Sequence, residues 1–247
     1  MPIRSNRVKV AIAPLFGLAL ALAACSESSV ADEALTVAEG SESGADALDP
    51  IPVMGEEVSI LAFGDSLFAG YGFEEPDVDS YPAKLEAALR ARGVNARGSN
   101  AGVSGDTTAA GLGRLEFTLD AQDEKPDLFI LELGGNDLLR GLSPDQPRAN
   151  FVAMLDELKS REIPVLIMGM RAPPNYGPEY QQAFDGLYGD LAQSYDTALI
   201  PFWLEDIYQE PQLFQNDRIH PTVEGVEELV SSTVVPVASA LPESAES

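Results

Sequence analysis

Short apolar runs that end in glycine or polar residues are the feature that most restricts how this chain folds. The clearest runs cover residues 58–63, 128–133 and 164–170, and residues 198–200 form a brief fourth run. Their apolar residues follow one another without alternation, which is typical of strands covered on both faces of a sheet. We therefore predict a parallel sheet within an α/β protein.

Helical patterns separate these runs. Apolar residues recur at helical spacing in residues 81–92, 149–160, 183–194 and 223–240, although Pro236 interrupts the last pattern. Strands that alternate with helices indicate a sheet with helices on both of its faces.

A fifth strand is predicted at residues 94–100 from its position alone, because this segment carries little apolar surface. In sheets of this kind, functional sites form at the carboxyl ends of the strands. The loops that follow the strands are therefore where chemistry is expected.

The N-terminal region has the composition of an export signal. In residues 1–25, basic residues precede an apolar stretch that is too short to span a bilayer comfortably and that ends at Cys25. The sequence Leu-Ala-Ala-Cys at residues 22–25 resembles the lipobox of bacterial lipoproteins, which implies lipidation of Cys25. Ser26 resembles the outer-membrane type of that signal. A plain secretory signal is the alternative.

Residues 26–57 contain nine acidic residues, no basic residue and few large apolar side chains. Such a segment cannot bury enough surface to offset its ordering entropy, so we expect a disordered tether ahead of a folded domain at residues 58–247. The protein is then expected to be exported to the bacterial cell envelope and to face the periplasm from the outer membrane. Membrane association is expected through the lipidated Cys25 only, and a soluble periplasmic protein is the alternative.

Charge and the scarcity of two residue types exclude several classes of function. The chain has 15 basic and 40 acidic residues, a net charge of -25, which repels nucleic acid and anionic membrane surfaces. No nucleic-acid partner is expected. Cys25 is the only cysteine and His220 the only histidine, which excludes internal disulfides, thiolate metal clusters and multi-histidine metal sites. Any histidine chemistry therefore depends on His220.

Four polar groups lie just after predicted strands or in the last loop. They are Gly-Asp-Ser-Leu at 64–67, Ser-Gly-Asp-Thr at 104–107, Gly-Gly-Asn-Asp at 134–137 and Asp-Arg-Ile-His at 217–220. Each string alone is common in turns. Because the carboxyl ends of parallel strands meet at one edge, we expect the four groups to converge there.

Together these residue types predict nucleophilic catalysis on a carbonyl. A serine hydroxyl needs a base to take its proton, which assigns the nucleophile to Ser66 and the base to His220. Asp217, three residues earlier, is placed to orient the imidazole. The tetrahedral intermediate needs hydrogen-bond donors, for which the candidates are the N–H groups of Ser66 and Gly105 and the amide of Asn136.

These groups, in this order, resemble the GDSL or SGNH hydrolase family. The resemblance covers about residues 58–240, and residues 104–108, 131–137 and 171–177 are similar to a bacterial subgroup of periplasmic acyl thioesterases, lysophospholipases and arylesterases. It implies a three-layer α/β/α fold with a five-stranded parallel sheet in flavodoxin-like order, with no cofactor and no metal. The implied triad is Ser66, Asp217 and His220, and the implied oxyanion hole is Ser66, Gly105 and Asn136.

The resemblance also bears on the substrate. Residues 138–144 correspond to a mobile loop that closes over the acyl chain in that subgroup, and core packing is the alternative role for two of its leucines. Ala172 stands where the subgroup often carries a larger aliphatic residue. The candidates for contact with substrate are Leu138, Leu139, Leu142, Ala172 and Pro173.

The predicted reaction is hydrolysis of a carboxylic ester or thioester through an acyl-enzyme on Ser66, with a small acyl compound as the partner. One alternative is a carbohydrate O-deacetylase. The leucines after Asn136 favour a substrate with an acyl chain over an acetylated carbohydrate. The other is a non-catalytic envelope lipoprotein that uses the fold for binding. The presence of every expected catalytic residue argues against it.

Overall fold

The computed structural model describes residues 52–242, and one sheet organises this part of the chain. Its strands are β1 (Met54–Gly64), β2 (Val94–Gly102), β3 (Leu128–Leu131), β4 (Val165–Met168) and β5 (Ala198–Ile200). All neighbouring pairs are parallel, and the order across the sheet is β2-β1-β3-β4-β5. The predicted flavodoxin-like order is confirmed.

The middle strands are built from the apolar runs of the sequence. Successive side chains of β3 point to opposite faces, so Leu128 and Ile130 join one core cluster while Phe129 and Leu131 join the other. All four side chains are fully buried. This two-sided burial is the reason that the run shows no alternation of apolar and polar residues.

The strand β2 lies at one edge of the sheet, which explains its weak sequence signal. Ala96 is its only buried residue. Most of the other side chains of β2 are only partly covered, so the strand needs less apolar surface than the middle strands do. The strand expected from position alone is confirmed, and it extends to Gly102.

Helices cover both faces of the sheet. The helices are α1 (Ser66–Ala69), α2 (Pro76–Asp79), α3 (Tyr81–Arg90), α4 (Thr108–Asp120), α5 (Gly135–Leu139), α6 (Asp145–Ser160), α7 (Pro178–Tyr195) and α8 (Val223–Ala240). Helices α3 and α8 pack on one core cluster, and α4, α6 and α7 pack on the other. The three-layer α/β/α class is therefore confirmed.

Among the longer helices, two differ from what the sequence pattern predicts. The helix α4 is not predicted, because Gly111 and Gly113 weaken its helical pattern. Gly111 is needed there, since a Cβ atom would lie 2.5 Å from the side chain of Leu133. The helix α8 continues through Pro236, which lies on its exposed side, where water can bond the carbonyl that loses its partner.

The expected boundary of the tether at residue 57 is wrong. The strand β1 begins at Met54, which pairs with Val94, and Glu57 forms an ion pair with Arg97 on β2. Pairing with β2 supplies hydrogen bonds that a free tether lacks. The expected export signal, the lipidation site, the rest of the tether and the end of the tail lie outside the described residues. Within residues 52–242, no helix combines the length and the apolar character needed to cross a membrane.

Candidate active site

The turn between β1 and α1 presents Ser66 at the carboxyl edge of the sheet. Asp65 caps α1 by accepting the backbone N–H of Leu67 at 3.0 Å, and Ser66 is the first residue of that helix. Gly64 packs directly against the residue that follows β3, because a Cβ atom on Gly64 would lie 2.7 Å from Glu132 Oε2. The Asp65 cap and the packing of Gly64 therefore fix the turn, and the Ser66 hydroxyl lies at the carboxyl edge of the sheet.

Ser66, His220 and Asp217 form a continuous hydrogen-bonded chain. His220 Nε2 lies 2.8 Å from Ser66 Oγ, and His220 Nδ1 lies 2.7 Å from Asp217 Oδ2. Asp217 Oδ1 also accepts the backbone N–H groups of Ile219 and His220, at 2.9 and 3.1 Å. Partial burial acts to raise the pKa of Asp217, but these bonds outweigh it and hold that pKa below its ordinary value.

The loop that carries His220 is fixed to the turn after Ser66. Gln215 donates its side-chain amide to the carbonyl oxygen of Tyr71 at 2.8 Å, and its backbone N–H bonds His220 O at 2.7 Å. The Tyr71 ring lies against the imidazole, with ring centroids 4.3 Å apart. Arg218 adopts a left-handed backbone (φ 62°), which completes the turn between Asp217 and His220.

The candidate oxyanion donors come from two further loops. Gly105 has φ +86°, a conformation that glycine adopts readily, and its carbonyl oxygen accepts the guanidinium of Arg140 at 2.8 Å. Asn136 lies in α5 and donates its amide to Asp65 Oδ2 at 2.8 Å. Ser66, Gly105 and Asn136 all line one cavity. The structure thus brings together every residue predicted for the triad and the oxyanion hole.

The buried carboxyl groups next to these residues include Asp65, Glu132 and Asp137. Asp137 is fully buried and accepts the backbone N–H and the hydroxyl of Thr108, at 2.8 and 2.6 Å, which fastens α5 to the start of α4. Glu132 is also fully buried, and Glu132 Oε2 accepts the backbone N–H of Asp65 at 3.2 Å. Burial, reinforced by the charge of Asp65, raises the pKa of Glu132 well above its ordinary value.

The cavity beside Ser66 has a volume of about 590 Å³ and a mostly apolar lining. Its lining includes Leu138, Leu139 and Pro173, as predicted. Leu142 and Ala172 do not line it, which corrects their assignment as candidates for substrate contact. Ala172 is buried in the core, and Leu142 lies in the turn after α5, where its carbonyl oxygen accepts the Tyr180 hydroxyl.

The segment expected to be a mobile loop begins inside α5, because Leu138 and Leu139 are the last residues of that helix. The Tyr176 hydroxyl donates to the Leu138 carbonyl at 2.8 Å, and the Tyr180 hydroxyl donates to the Leu142 carbonyl at the same distance. These two tyrosines fasten the segment to α7 and the turn before it.

The rest of the cavity wall is not predicted from the sequence. That wall contains a tyrosine beside the base and apolar residues from the loops that follow β4 and β5. These residues are Tyr71, Met170, Phe202, Leu204, Tyr208, Pro211, Phe214 and Ile219. They lie in loops without periodic pattern, so spacing alone gives no signal for them. Within the described residues, no three acidic, histidine or cysteine side chains cluster as a metal site would require.

Comparisons with known proteins agree with this geometry. Residues 62–227 match the profile of the GDSL-like Lipase/Acylhydrolase family. Esterase TesA of Pseudomonas aeruginosa is 41% identical over 165 residues, which cover 67% of this chain and 80% of that protein. The Escherichia coli protein named thioesterase 1/protease 1/lysophospholipase L1 is 38% identical over 163 residues, 66% of this chain and 75% of that protein.

A solved structure is similar as well. The crystal structure of AlinE4, described as an SGNH-hydrolase family esterase, superposes with a TM-score of 0.64 at 62% sequence identity. The superposition covers 76% of this chain and 99% of that one.

Proposed function

Because the chain belongs to the GDSL-like lipase/acylhydrolase family and is a serine ester hydrolase, we propose that it works by two-step acyl transfer on Ser66. The observation that carries this proposal is the chain of hydrogen bonds from Ser66 Oγ through His220 to Asp217, at 2.8 and 2.7 Å. The first distance permits transfer of the Ser66 proton to the imidazole without rearrangement, and the second lets Asp217 hold the imidazole in the required orientation.

In the first step, Ser66 Oγ attacks the substrate carbonyl and its proton moves to His220 Nε2. Asp217 stabilises the imidazolium that forms, and the donors of Ser66, Gly105 and Asn136 stabilise the oxyanion. The imidazolium then protonates the leaving alcohol or thiol, which departs and leaves an acyl-enzyme. Water, activated by His220, releases the carboxylic acid and restores the Ser66 hydroxyl.

The apolar cavity supports an acyl or aryl substrate. Its lining beside Ser66 offers leucine, methionine and proline side chains, and such a surface favours hydrocarbon over a hydroxyl-rich sugar. We therefore propose carboxylic esters or acyl thioesters as substrates rather than acetylated carbohydrates. The similar proteins named esterase and thioesterase are consistent with that class.

The test combines a variant with a chemical label. Ser66→Ala is expected to reduce kcat for p-nitrophenyl esters by about 10⁴-fold or more and to leave the circular dichroism spectrum unchanged. Ser160→Ala, at the exposed end of α6, serves as the matched control. A fluorophosphonate should label the wild type at Ser66 by peptide mass spectrometry. A label on another serine would show that the nucleophile is misassigned.

The substrate class has its own experiment. Rates for a chain-length series of p-nitrophenyl esters should be compared with those for an acyl-CoA, a lysophospholipid and an acetylated xylo-oligosaccharide. We expect hydrolysis of the esters or of the thioester to exceed that of the acetylated sugar. The opposite ranking would favour carbohydrate deacetylation.

We also propose that the protein is exported and anchored by lipid at Cys25. The lipobox-like Leu-Ala-Ala-Cys at residues 22–25 and the absence of any other cysteine from the sequence support this. Labelled palmitate should be incorporated into the wild type and not into Cys25→Ser. Unlabelled wild-type protein in the soluble periplasmic fraction would instead indicate a plain secretory signal.

A further inference from the structure

We propose that Asp65 and Glu132 form a carboxyl pair that shares one proton and holds the Asn136 amide in its oxyanion-binding orientation. In this role both are positioning residues that act through Asn136. The inference rests on the proposed function, because it takes Asn136 as an oxyanion donor.

Hydrogen bonds connect the pair to the candidate active site. Asp65 uses both carboxylate oxygens, since Oδ1 accepts the N–H of Leu67 at 3.0 Å and Oδ2 accepts the Asn136 amide at 2.8 Å. Glu132 lies directly behind, with Oε2 on the backbone N–H of Asp65 at 3.2 Å. Asp65 therefore links the turn that presents Ser66 to the side chain proposed to bind the oxyanion.

The burial of the pair determines its charge. Asp65 is 2% exposed and Glu132 is 0% exposed. Two adjacent carboxylates at that depth repel each other and lose their hydration, so one of them keeps a proton. Asp65 accepts two N–H donors, which favour its ionised form, whereas within the described residues Glu132 Oε1 has no hydrogen-bond donor.

The proton therefore belongs on Glu132. Burial raises the pKa of Asp65 above its ordinary value, and the bonds from the Leu67 N–H and the Asn136 amide act against that rise. Burial raises the pKa of Glu132 well above its ordinary value, so a protonated Glu132 would donate to the Asp65 carboxylate. Other titratable groups around the pair are His220, Tyr188 and Asp137. Tyr188 is buried and bonds the Leu133 carbonyl through its hydroxyl, at 3.0 Å.

The ionised Asp65 fixes which end of the Asn136 amide faces the site. A carboxylate accepts only from the NH₂ end, so the second N–H of that nitrogen remains available for the oxyanion. If residue 65 were a hydrogen-bond donor, the Asn136 amide would rotate. Its carbonyl oxygen would then take the place of the NH₂ group, both towards residue 65 and towards the oxyanion. Because an acceptor repels an oxyanion, catalysis would then fall while substrate binding remained.

A double-mutant cycle tests this inference. Asp65→Asn can still cap Leu67 but presents an NH₂ group to Asn136. We expect it to lower kcat by about 10- to 100-fold, less than the loss of the oxyanion donor itself, and to leave KM within about twofold. Asn136→Ala should lower kcat by about 10²- to 10³-fold. The double variant should match Asn136→Ala, since Asp65 acts through that residue.

A matched control separates positioning from stability. Asp127, at the opposite end of β1 and β3, accepts the Ser59 N–H and hydroxyl at 2.7 and 2.9 Å. Asp127→Asn alters a comparable carboxylate of the same sheet and should lower Tm without changing kcat. Equal kcat losses in the two Asn variants would indicate a structural effect and would overturn the inference.

Replacement of Glu132 tests where the proton lies. Glu132→Gln presents an acceptor and a donor, as the protonated acid does, so it should keep kcat within about threefold of wild type. Glu132→Leu removes both groups and should reproduce the kcat loss of Asp65→Asn. A Gln variant as inactive as the Leu variant would contradict the shared proton. If Glu132→Leu does not fold, the Asp65 and Asn136 cycle decides the positioning role.

The outcomes distinguish this inference from the proposed function. Full activity of Asn136→Ala would remove the oxyanion role on which the inference rests. A large loss in Asn136→Ala with wild-type kcat in Asp65→Asn would overturn the positioning role alone. If the kcat losses of Asp65→Asn and Asn136→Ala were additive in the double variant, the positioning role would also be overturned.

Discussion

The ring of Tyr71 lies against the imidazole of His220, with centroids 4.3 Å apart and planes inclined by 33°. Tyr71 follows α1, while His220 precedes α8, so the contact joins the nucleophile side of the site to the base side. An aromatic face also attracts the cation that forms when the imidazole accepts a proton.

Loss of this contact should slow the reaction modestly. Tyr71→Ala is expected to lower kcat/KM by about 2- to 5-fold, which corresponds to about 0.5–1 kcal/mol for an exposed cation–π contact. Tyr71→Phe keeps the ring and should remain near wild type. Steady-state kinetics with a short p-nitrophenyl ester measure both variants, and an equal loss in the two would assign the effect to the hydroxyl instead.

The backbone of β2 packs closely against α1, which predicts that a larger residue at this contact lowers both stability and kcat. At Gly102, the last residue of β2, a Cβ atom would lie 2.5 Å from the backbone nitrogen of Ala69 and 2.9 Å from the carbonyl oxygen of Asp65. Gly102→Ala must therefore displace the helix that carries Ser66. We expect it to reduce the free energy of unfolding by about 1–3 kcal/mol and kcat by about 10-fold.

Gly113, in α4, is the matched control, because a Cβ atom there meets nothing within 4 Å. Gly113→Ala should raise the free energy of unfolding by up to about 1 kcal/mol and leave kcat unchanged. Urea denaturation and kinetics on both variants check the pair. Equal stability of the two would contradict the close packing at Gly102.

The raised pKa of Glu132 predicts how stability depends on pH. Burial and the charge of Asp65 raise it well above the ordinary value of 4.5, so the folded state holds a proton that the unfolded chain releases. The stability contributed by the neutral group is complete below that ordinary value and is lost as pH rises through the folded-state pKa. Glu132→Gln does not titrate, so its unfolding free energy should fall less as pH rises above 4.5, the ordinary pKa of the group. Urea denaturation of both proteins at a series of pH values gives the comparison. If the unfolding free energies of the two proteins depend on pH in the same way, Glu132 is already ionised in the folded wild type.

Much of the fold was predictable because the buried strands are short and continuous in apolar residues. The residues of β3 and β4 have no exposed face, so their sequence carries no competing pattern. The helix α4 was not predictable, since Gly111 is there for close packing against Leu133, a tertiary requirement. The start of β1 at Met54 could not be predicted for a similar reason. This acidic part of the strand is ordered by pairing with β2, which is also a tertiary contact.

In the candidate site too, some residues could be predicted from the sequence and others depend on tertiary contacts. Ser66, Gly105, Asn136 and the last loop follow strand ends, so their convergence could be predicted from topology. Glu132 could not be recognised, since it lies within an apolar run and only the register of β1 and β3 places it behind Asp65.

The wall formed by Leu138 and Leu139 predicts an effect on acyl-chain preference. Leu139 lines the cavity and is 55% exposed, so its side chain is available to a hydrocarbon tail. Leu139→Ala should lower kcat/KM for long-chain p-nitrophenyl esters by about 3- to 10-fold, because about 1 kcal/mol of apolar contact is lost. Hydrolysis of the acetate should change little, since its acyl group is too short to reach this wall. Leu142→Ala is the control, because Leu142 lies outside the cavity, and it should leave the ratio of long-chain to acetate rates unchanged. If both variants shift that ratio equally, the acyl chain does not lie along Leu139, and the rest of the lining, which includes Phe214, must hold it.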